Sequence, residues 1–135
     1  MSVIVSDKGF ANDDWVGPIA ALEESENAIA VDLASDDDPT LLQDRLNSIQ
    51  LVRVDFPSFA DGRGFTIARH LRLLGYTGRL RAKGHVISDQ YAMARRSGFD
   101  EVEISDELAA RQPEGEWNFR ADWRANDYQN RLRTG

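Results

Sequence analysis

Four short apolar segments recur along the chain at a spacing that few folds allow. Their centres fall near Val31, Val54, Leu80 and Val102, so that successive centres lie 23, 26 and 22 residues apart. This interval suits a strand, a crossover helix and their two loops, and such a crossover brings the next strand back parallel to the last. The spacing therefore predicts an α/β fold with a small parallel sheet of about four βα units.

The segments between these centres carry helical signals. Ile67, Leu71 and Leu74 repeat with the period of a helix face, and Gly75 follows as a residue that ends helices. An open sheet and half of a (β/α)8 barrel both satisfy this rhythm, and we favour the open sheet because the N-terminal segment can supply an edge strand or a cover. The predicted strands are residues 28–34, 49–56, 79–82 and 101–104, and the predicted helices are one beginning near Asp38 and those of residues 64–74, 86–97 and 106–111.

The length of 135 residues suits a single domain, in which we distinguish three parts. Residues 1–27 predict a hairpin turned at Asp7–Gly9, followed by a short helix opened by Pro18. Residues 28–111 form the βα core. Residues 112–135 form a polar arm that we expect to lie over the domain or over a partner chain. The aromatic and apolar side chains of this arm are those of Trp117, Phe119, Trp123, Tyr128 and Leu132.

Charge is distributed unevenly along the chain. Residues 1–60 carry a net charge of −9, residues 61–99 of +6 and residues 100–135 of −4, which together make −7. An acidic protein is poorly suited to nucleic acid, whose binding rests on neutralised phosphates, but the basic middle segment can hold one small anion. No apolar run approaches the roughly 20 residues of a membrane span, and the start does not resemble a signal peptide. We therefore expect a cytoplasmic protein without membrane contact.

Several kinds of chemistry lack the residues they need. The chain has no Cys and only two His, His70 and His85, which argues against disulfides, thiolate metal sites and histidine-rich metal centres. The glycine fingerprints of dinucleotide and phosphate sites and the setting of a serine nucleophile are also missing. The acidic run 36–38 is interpreted as a solvated helix start rather than a magnesium site. We therefore predict no cofactor and no metal.

Ligands of parallel α/β sheets collect beyond the carboxyl ends of the strands, and the loop after the second predicted strand is the most informative there. Residues 61–64, Asp-Gly-Arg-Gly, open a helix. Backbone N–H groups and the Arg63 guanidinium can therefore meet a phosphate, sulfate, sulfite or carboxylate at this point. If the second and third strands are neighbours, Arg81 and Gly84 converge on the same place.

A structural alternative exists for these residues. Asp61 can cap the helix, and Arg63 can then pair with Asp55 or Asp89. Asp55 can also form an ion pair with Arg81, since both lie near the carboxyl ends of predicted strands. No catalytic residue is identified. Asp55 and Asp89 are the two carboxylates that we consider for acid–base work.

A longer pattern gives these loops a wider context. Residues 56–69 read Phe-Pro-x-Phe-x-Asp-Gly-Arg-Gly-Phe-Thr-x-Ala-Arg, residues 75–84 read Gly-Tyr-x-Gly-x-Leu-Arg-Ala-x-Gly, and Asp89–Gln90 and Gly98–Asp100 follow. This pattern is firmest over residues 54–103 and resembles a bacterial family known as the domain of unknown function 934. The resemblance covers most of the chain.

The resemblance implies a set of site residues but no established reaction. The family's members resemble one another in being encoded beside assimilatory sulfite or nitrite reductase and related sulfur-assimilation genes. Sulfite reductase or another sulfur-assimilation protein is therefore the implied partner. Arg79, Lys83 and His85 stand where this sequence departs from the family pattern or where that pattern is loose. The implied ligand-binding residues are Asp61, Gly62, Arg63, Gly64, Arg81, Gly84 and Gln90, and Arg69 and Asp89 also belong to the motif.

Three functions remain open on this basis. The first is a non-catalytic accessory or anion-binding protein of sulfite or sulfate assimilation, which suits a chain without Cys or a cofactor fingerprint. The second is a small enzyme acting on a phosphorylated or sulfur-oxyanion metabolite, with Asp55 or Asp89 as the acid–base group. Arg63 and Arg81 would form its anion clamp. The third is an interaction module that works through the arm, either in a homo-oligomer or with another protein.

Overall fold

The computed structural model describes residues 2–120, with the side chains of Phe119 and Arg120 excepted. These residues form an α/β fold, as the spacing of the apolar segments predicts. Their strands are β1 (Ser2–Ser6), β2 (Gly9–Ala11), β3 (Ala20–Ala21), β4 (Ala30–Leu33), β5 (Leu51–Phe56), β6 (Arg79–Gly84) and β7 (Glu101–Ser105). Their α-helices are α1 (Arg63–Leu73), α2 (Tyr91–Ser97), α3 (Asp106–Arg111) and α4 (Glu114–Arg120).

The strands of the described region belong to one mixed sheet with the order β2-β1-β7-β6-β5-β4-β3. From β3 to β7, each strand lies beside the next in sequence and parallel to it. Right-handed crossovers between such neighbours place the connecting segments on one face of the sheet. β1 and β2 extend the sheet beyond β7 as an antiparallel hairpin. The hairpin agrees with the sequence-based prediction, and the linear strand order is that of an open sheet.

The two faces of the sheet differ in chemistry because side chains alternate along each strand. On the helix side, Val52, Val54 and Ile104 belong to a core that also contains Ile67 and Leu71 of α1. Removing these apolar side chains from water is the main stabilisation of the fold. The opposite side, which we call the charged face, carries the side chains of Asp32, Arg53, Asp55, Arg79, Arg81, Lys83, Glu101 and Glu103.

Two of the predicted helices differ from the structure in extent. Where the sequence predicts a short helix after Pro18, residues 20–21 form β3 and Leu22–Glu24 form a single 3-10 turn, because the backbone here pairs with β4. The helix predicted over residues 86–97 begins as a 3-10 turn, Ser88–Gln90, and only then becomes α2. Both differences follow from local backbone pairing that the apolar pattern does not show.

The helix predicted near Asp38 is wrong in type. The segment forms two 3-10 turns, Pro39–Leu42 and Leu46–Ser48. The Asp38 carboxylate accepts hydrogen bonds from Thr40 N (2.9 Å) and Thr40 Oγ1 (2.7 Å), which closes the first turn locally. Each turn still buries a leucine, so the segment contributes to the core as the predicted helix would.

The first part of the C-terminal arm packs on the domain. Trp117 of α4 is buried, its ring centroid lies 6.1 Å from that of Tyr91, and its Nε1–H donates to Gln112 O (2.9 Å). In the hairpin, Phe10 N donates to the Glu114 carboxylate (2.8 Å). α4 therefore contacts both α2 and the hairpin. Outside the described residues lie Trp123, Tyr128 and Leu132, together with the side chain of Phe119.

Candidate functional site

A groove runs along the carboxyl ends of the parallel strands. It consists of three adjoining cavities of about 420, 230 and 280 Å³. Lys83 lines the first two cavities, and Gly84 and Ser105 line the second and the third. This carboxyl-end groove lies where parallel α/β sheets bind their ligands.

Lys83, near the end of β6, is the central cation of the groove. In the register of the sheet it lies between Asp55 of β5 and Glu103 of β7. Glu103 is engaged by Arg53 (3.2 Å) and Arg81 (2.8 Å). Among residues 2–118, no carboxylate is in ion-pair contact with the Lys83 ammonium. Its three N–H donors are therefore available to a ligand.

The turn after Lys83 depends on Gly84. Its φ is +111°, and a Cβ at this position would lie 2.7 Å from the carbonyl oxygen of Phe56, so that a side chain does not fit. His85 N donates to the same carbonyl (3.0 Å), and the His85 ring packs edge-on against Phe59 with centroids 5.1 Å apart. The end of β6 is thereby held close to the loop that follows β5.

Arg81 lies within the charged face and is engaged by the protein itself. Its side chain has no exposed surface and binds Glu101 (2.6 Å), Glu103 (2.8 Å) and Asp13 (3.1 Å). β5 and β6 are neighbours, as the predicted convergence of Arg81 with the 61–64 loop requires. The contacts of Arg81 are nevertheless with these three carboxylates, and Asp55 is not among its ion-pair partners in the described region.

Two further arginines extend these contacts into a network. Arg53 binds Asp32 (2.6 Å), and Arg79 binds Glu101 (2.9 Å) and Asp14 (2.5 Å). The hydrogen bond to Asp32 raises the pKa of Arg53 above its usual value despite the opposing effect of burial. The charged face is therefore a set of ion pairs that crosslinks β4, β5, β6 and β7.

In the loop at residues 61–64, the Arg63 guanidinium is bound by the carboxylate of Asp61 from the same loop. Arg63 Nε and Nη2 lie 3.0 and 2.7 Å from the Asp61 carboxylate oxygens, and Arg63 N also donates to Asp61 (3.1 Å). Nη2 reaches Ser35 Oγ as well (2.9 Å). Gly64 is buried against the Phe56 ring, which leaves no room for a Cβ. An external anion at this loop has to displace the Asp61 carboxylate.

The remaining candidate residues are spread along the same loops. Gln90 Nε2 donates to Phe59 O (3.0 Å), and its Oε1 accepts from the backbone three residues earlier (3.1 Å), so both ends of the amide are engaged. Gly62 is exposed at the start of α1, and Asp89 is exposed in the 3-10 turn before α2. Asp55 is exposed at the end of β5 and lines the 420 Å³ cavity. Of the predicted residues, Asp55 and Gly84 are thus the ones that line the groove.

The Arg63 contacts lead to a prediction for Asp61. The side-chain hydrogen bond from Arg63, aided by the Arg63 backbone N–H, lowers the pKa of Asp61 from 3.8 to about 2. A carboxyl whose pKa is lower in the folded state stabilises the fold above the unfolded pKa and loses that contribution as the pH falls. We expect Asp61→Asn to be less stable than the wild type at pH 6, and the difference to shrink between about pH 4 and pH 2.

An NMR titration of the Asp61 carboxyl checks this directly, with a midpoint expected near pH 2. In the Arg63→Gln variant the midpoint should return towards 3.8. A midpoint that is the same in the variant and the wild type would show that Arg63 does not hold the carboxylate in solution.

Two features of this site leave little trace in the sequence. The family pattern is loose at Lys83, although this residue is the central cation of the groove. The alternation of Arg79, Arg81 and Lys83 along β6 is the signal that reveals it, because it places three cations on one face. Asp13 and Asp14 give no such signal, since they lie 68 and 65 residues from their arginine partners along the chain.

Within residues 2–120, no three His, Asp or Glu side chains are grouped so that they could hold a metal ion. In the same part of the chain, none of the helices has the length and apolar character needed to span a membrane.

Fold and groove together define the class of this protein, an α/β protein with a mostly parallel open sheet and a lysine-centred groove at the carboxyl ends of its strands. A family model described as "Bacterial protein of unknown function (DUF934)" matches residues 30–134. The chain belongs to this family, which confirms the resemblance of the loop motifs. The matched residues include β4 to β7 and thus most of the groove. Comparisons with curated proteins and with solved structures gave no match.

Proposed function

We propose that this protein binds a small oxyanion in the carboxyl-end groove and serves assimilatory sulfite or sulfate reduction as a cytoplasmic accessory protein. The observation that carries the proposal is Lys83, which lines two of the three cavities and whose ammonium has no ion-pair partner among residues 2–118. An ammonium beside a tight glycine turn offers an anion both a charge and close approach to the backbone.

The charges along the groove favour an anion in its β6–β7 half. There Ser105 and Arg111 line the 280 Å³ cavity together with Glu107, whose carboxylate is 3.9 Å from Arg111. Glu103 lines the 230 Å³ cavity, but its carboxylate is already engaged by Arg53 and Arg81. The β4–β5 half is unfavourable, because carboxylates repel an anion at close range. The carboxylates that line the 420 Å³ cavity are those of Glu23, Asp32, Asp37 and Asp55.

The loop at residues 61–64 supports an anion site less well than Lys83 does. Arg63 is 59 % exposed, but its guanidinium is already neutralised by Asp61 at 2.7 Å. Sulfite or sulfate at this loop would have to compete with a carboxylate that is part of the same turn. Among residues 2–118, no carboxylate forms such an ion pair with Lys83, although Asp55 and Glu103 are its register neighbours.

The link to sulfur assimilation rests on the gene neighbourhood that the family resemblance implies. Sulfite and sulfate suit the groove because several oxygens surround one centre, so that an ammonium, a hydroxyl and backbone N–H groups can bind one ion together. Phosphate has the same property, so the ligand's identity has to come from measured affinities.

Calorimetric titration with sulfite, sulfate, phosphate and chloride tests the site. Lys83→Gln removes the charge and keeps much of the side chain, and we expect it to weaken sulfite and sulfate binding roughly tenfold or more. Lys8→Gln, at an exposed lysine of the hairpin turn, is the matched control and should bind as the wild type does. Equal affinities of the Lys83→Gln variant and the wild type, or no binding by the wild type, would contradict the site.

A separate experiment tests the accessory role. In cells grown on sulfate as the sole sulfur source, a pull-down with the tagged protein should retrieve sulfite reductase or another sulfur-assimilation protein. Deletion of the gene should slow sulfite reduction. The accessory role would be contradicted if the protein behaves as a free monomer in cells and if deletion of its gene leaves sulfite reduction unchanged. This holds even if the groove binds sulfite.

An enzyme acting on a phosphorylated or sulfur-oxyanion metabolite is the second candidate, and Asp55 favours it. Asp55 is the register neighbour of Lys83, is exposed and lines the same cavity. A carboxylate base beside a cation that holds the anionic part of a substrate is a suitable arrangement for proton transfer. If the wild type converts such a metabolite, and the Asp55→Asn variant still binds the anion but no longer converts it, the protein is an enzyme rather than an accessory protein.

A further inference from the structure

The chain crosses the charged face on its way between the two outermost described strands. Residues 12–19, which we call the strap, connect β2 at one end of the sheet to β3 at the other. Asp13 binds Arg81 (3.1 Å) and Asp14 binds Arg79 (2.5 Å), so the strap passes over β6. The Cα atoms of these two arginines are about 7 Å apart, because two residues separate them along a strand.

Each strap carboxylate accepts a hydrogen bond from the Nη2 atom of its arginine. Nε of Arg79 and Nε of Arg81 both donate to Glu101, at 2.9 and 2.6 Å. Nη2 of each arginine donates instead to the strap, Arg79 to Asp14 and Arg81 to Asp13. The sheet thus orients both guanidinium groups from within and leaves one donor group of each directed towards the strap.

Both strap carboxylates are charged at neutral pH. The side-chain hydrogen bond from Arg79 lowers the pKa of Asp14. Burial raises the pKa of Asp13, but hydrogen bonds from Trp15 N and Arg81 outweigh this effect and lower it overall. The contacts are therefore charge-assisted hydrogen bonds, which are the stronger kind.

Apart from these ion pairs, the strap is lightly held. No backbone–backbone hydrogen bond joins residues 13–18 to other described residues. Val16 is 92 % exposed. Trp15 Nε1 is buried and has no acceptor in the described part of the chain, which is unfavourable for a polar group. The strap thus covers the charged face without the satisfied contacts of a core element.

We propose that Arg79 and Arg81 form a receptor for paired carboxylates, which Asp13 and Asp14 fill in this structure and which an acidic segment of another protein fills in exchange. The present occupant defines the ligand class, a segment with two successive acidic residues and little backbone pairing. Asp14 Oδ1 is 2.5 Å from Arg79 Nη2 and 4.0 Å from Arg81 Nη2, so the two carboxylates lie side by side over both arginines. A ligand that fills both positions therefore presents two adjacent acidic groups. This receptor lies on the charged face and goes beyond the Lys83 site proposed above.

Exchange requires the strap to leave together with β3. Nine peptide links lead from Ala11 to Ala20, and they reach at most about 32 Å. They cross six strand spacings of about 4.8 Å each, so little slack remains. β3 has two residues and, in the described region, pairs with β4 alone. Unpairing these two residues is therefore the step that releases the carboxylates from the arginines.

Fluorescence anisotropy with a labelled peptide tests the receptor. The probe is a seven-residue peptide with the sequence of residues 12–18, Asn-Asp-Asp-Trp-Val-Gly-Pro. The Asp13→Asn/Asp14→Asn variant of the full chain should bind it roughly tenfold or more tightly than the wild type, because the internal carboxylates no longer compete. Adding Arg79→Gln to this variant should remove the gain. A Glu26→Gln/Asp44→Asn variant, at two exposed acids elsewhere, carries the same change in net charge and should bind as the wild type does.

A second strap variant and two control ligands complete the test. The Asp14→Asn variant, which changes a side chain that is 71 % exposed, should show a smaller gain and keeps the test valid if the double variant unfolds. A peptide with Asn at both acidic positions should not bind. Equal binding by the wild type and the strap variants, or a gain that survives Arg79→Gln, would overturn the receptor. Glutarate that binds as tightly as the peptide would overturn the assignment to a protein segment. Sulfite binding at Lys83, measured in the same variants, should not change.

Discussion

Replacing Arg81 by methionine is expected to lower the free energy of unfolding by about 3–5 kcal/mol, the range for removing one partner of a buried ion pair. Arg81 has no exposed surface and serves Glu101 and Glu103, which are both buried. Methionine is an unbranched side chain that adapts to irregular space. The expected loss therefore comes mainly from two buried carboxylates that each lose one of two arginine partners, since Glu101 keeps only Arg79 and Glu103 keeps only Arg53 among the described residues.

Urea unfolding followed by circular dichroism measures this loss. Arg69→Met is the matched control, because Arg69 is exposed on α1, and a change within about 0.5 kcal/mol is expected there. A comparably small loss for Arg81→Met would contradict the buried network and indicate that water reaches the glutamates.

Trp117→Ala is expected to lower the free energy of unfolding by about 3–5 kcal/mol, as buried tryptophans do when truncated. Trp117 is 1 % exposed, packs edge-on against Tyr91 and donates to Gln112 O. The variant loses the apolar burial, leaves a cavity beside α2 and removes the donor of the partly buried Gln112 carbonyl.

Thermal and urea unfolding of Trp117→Ala should be compared with Met93→Ala, which truncates a side chain on α2 that is 51 % exposed. Truncation of the chain after Arg111 should destabilise the domain at least as much as Trp117→Ala. A truncated domain of unchanged stability that has lost an assembly would instead identify the arm as a surface for a partner.

The parallel part of the fold is predictable because a strand and its crossover need a nearly fixed length of chain. Val31, Val54, Leu80 and Val102 each fall within one of the strands β4 to β7. The segments around residues 20 and 40 are less predictable. β3 forms because its backbone pairs with that of β4. The 3-10 turn after Asp38 forms because the Asp38 carboxylate accepts a hydrogen bond from Thr40 N. Neither event depends on the apolar period.

The candidate site is predictable in its place but less in its members. The carboxyl ends of the strands follow from the parallel topology, and Gly84 follows from the motif. Whether Arg63 faces a ligand or Asp61 is decided by contacts that include Ser35, 28 residues away. Arg81 lies on the same face of the sheet as Glu101 and Glu103 of the neighbouring strand β7, and its side chain binds them instead of pointing into the groove. The sequence alone does not show which strand lies beside β6.

The route of the strap also limits the shape of the sheet. The chain bends at Gly17, where φ is +121°, so the strap reaches less far than its fully extended length. Ala11 and Ala20 can therefore be no farther apart than about 32 Å, which is close to the roughly 29 Å of six flat strand spacings. The strap thus limits how far the two outermost described strands can move apart. In a closed barrel the last strand is joined to the first, whereas here a tether between two edges sets how far apart they can lie.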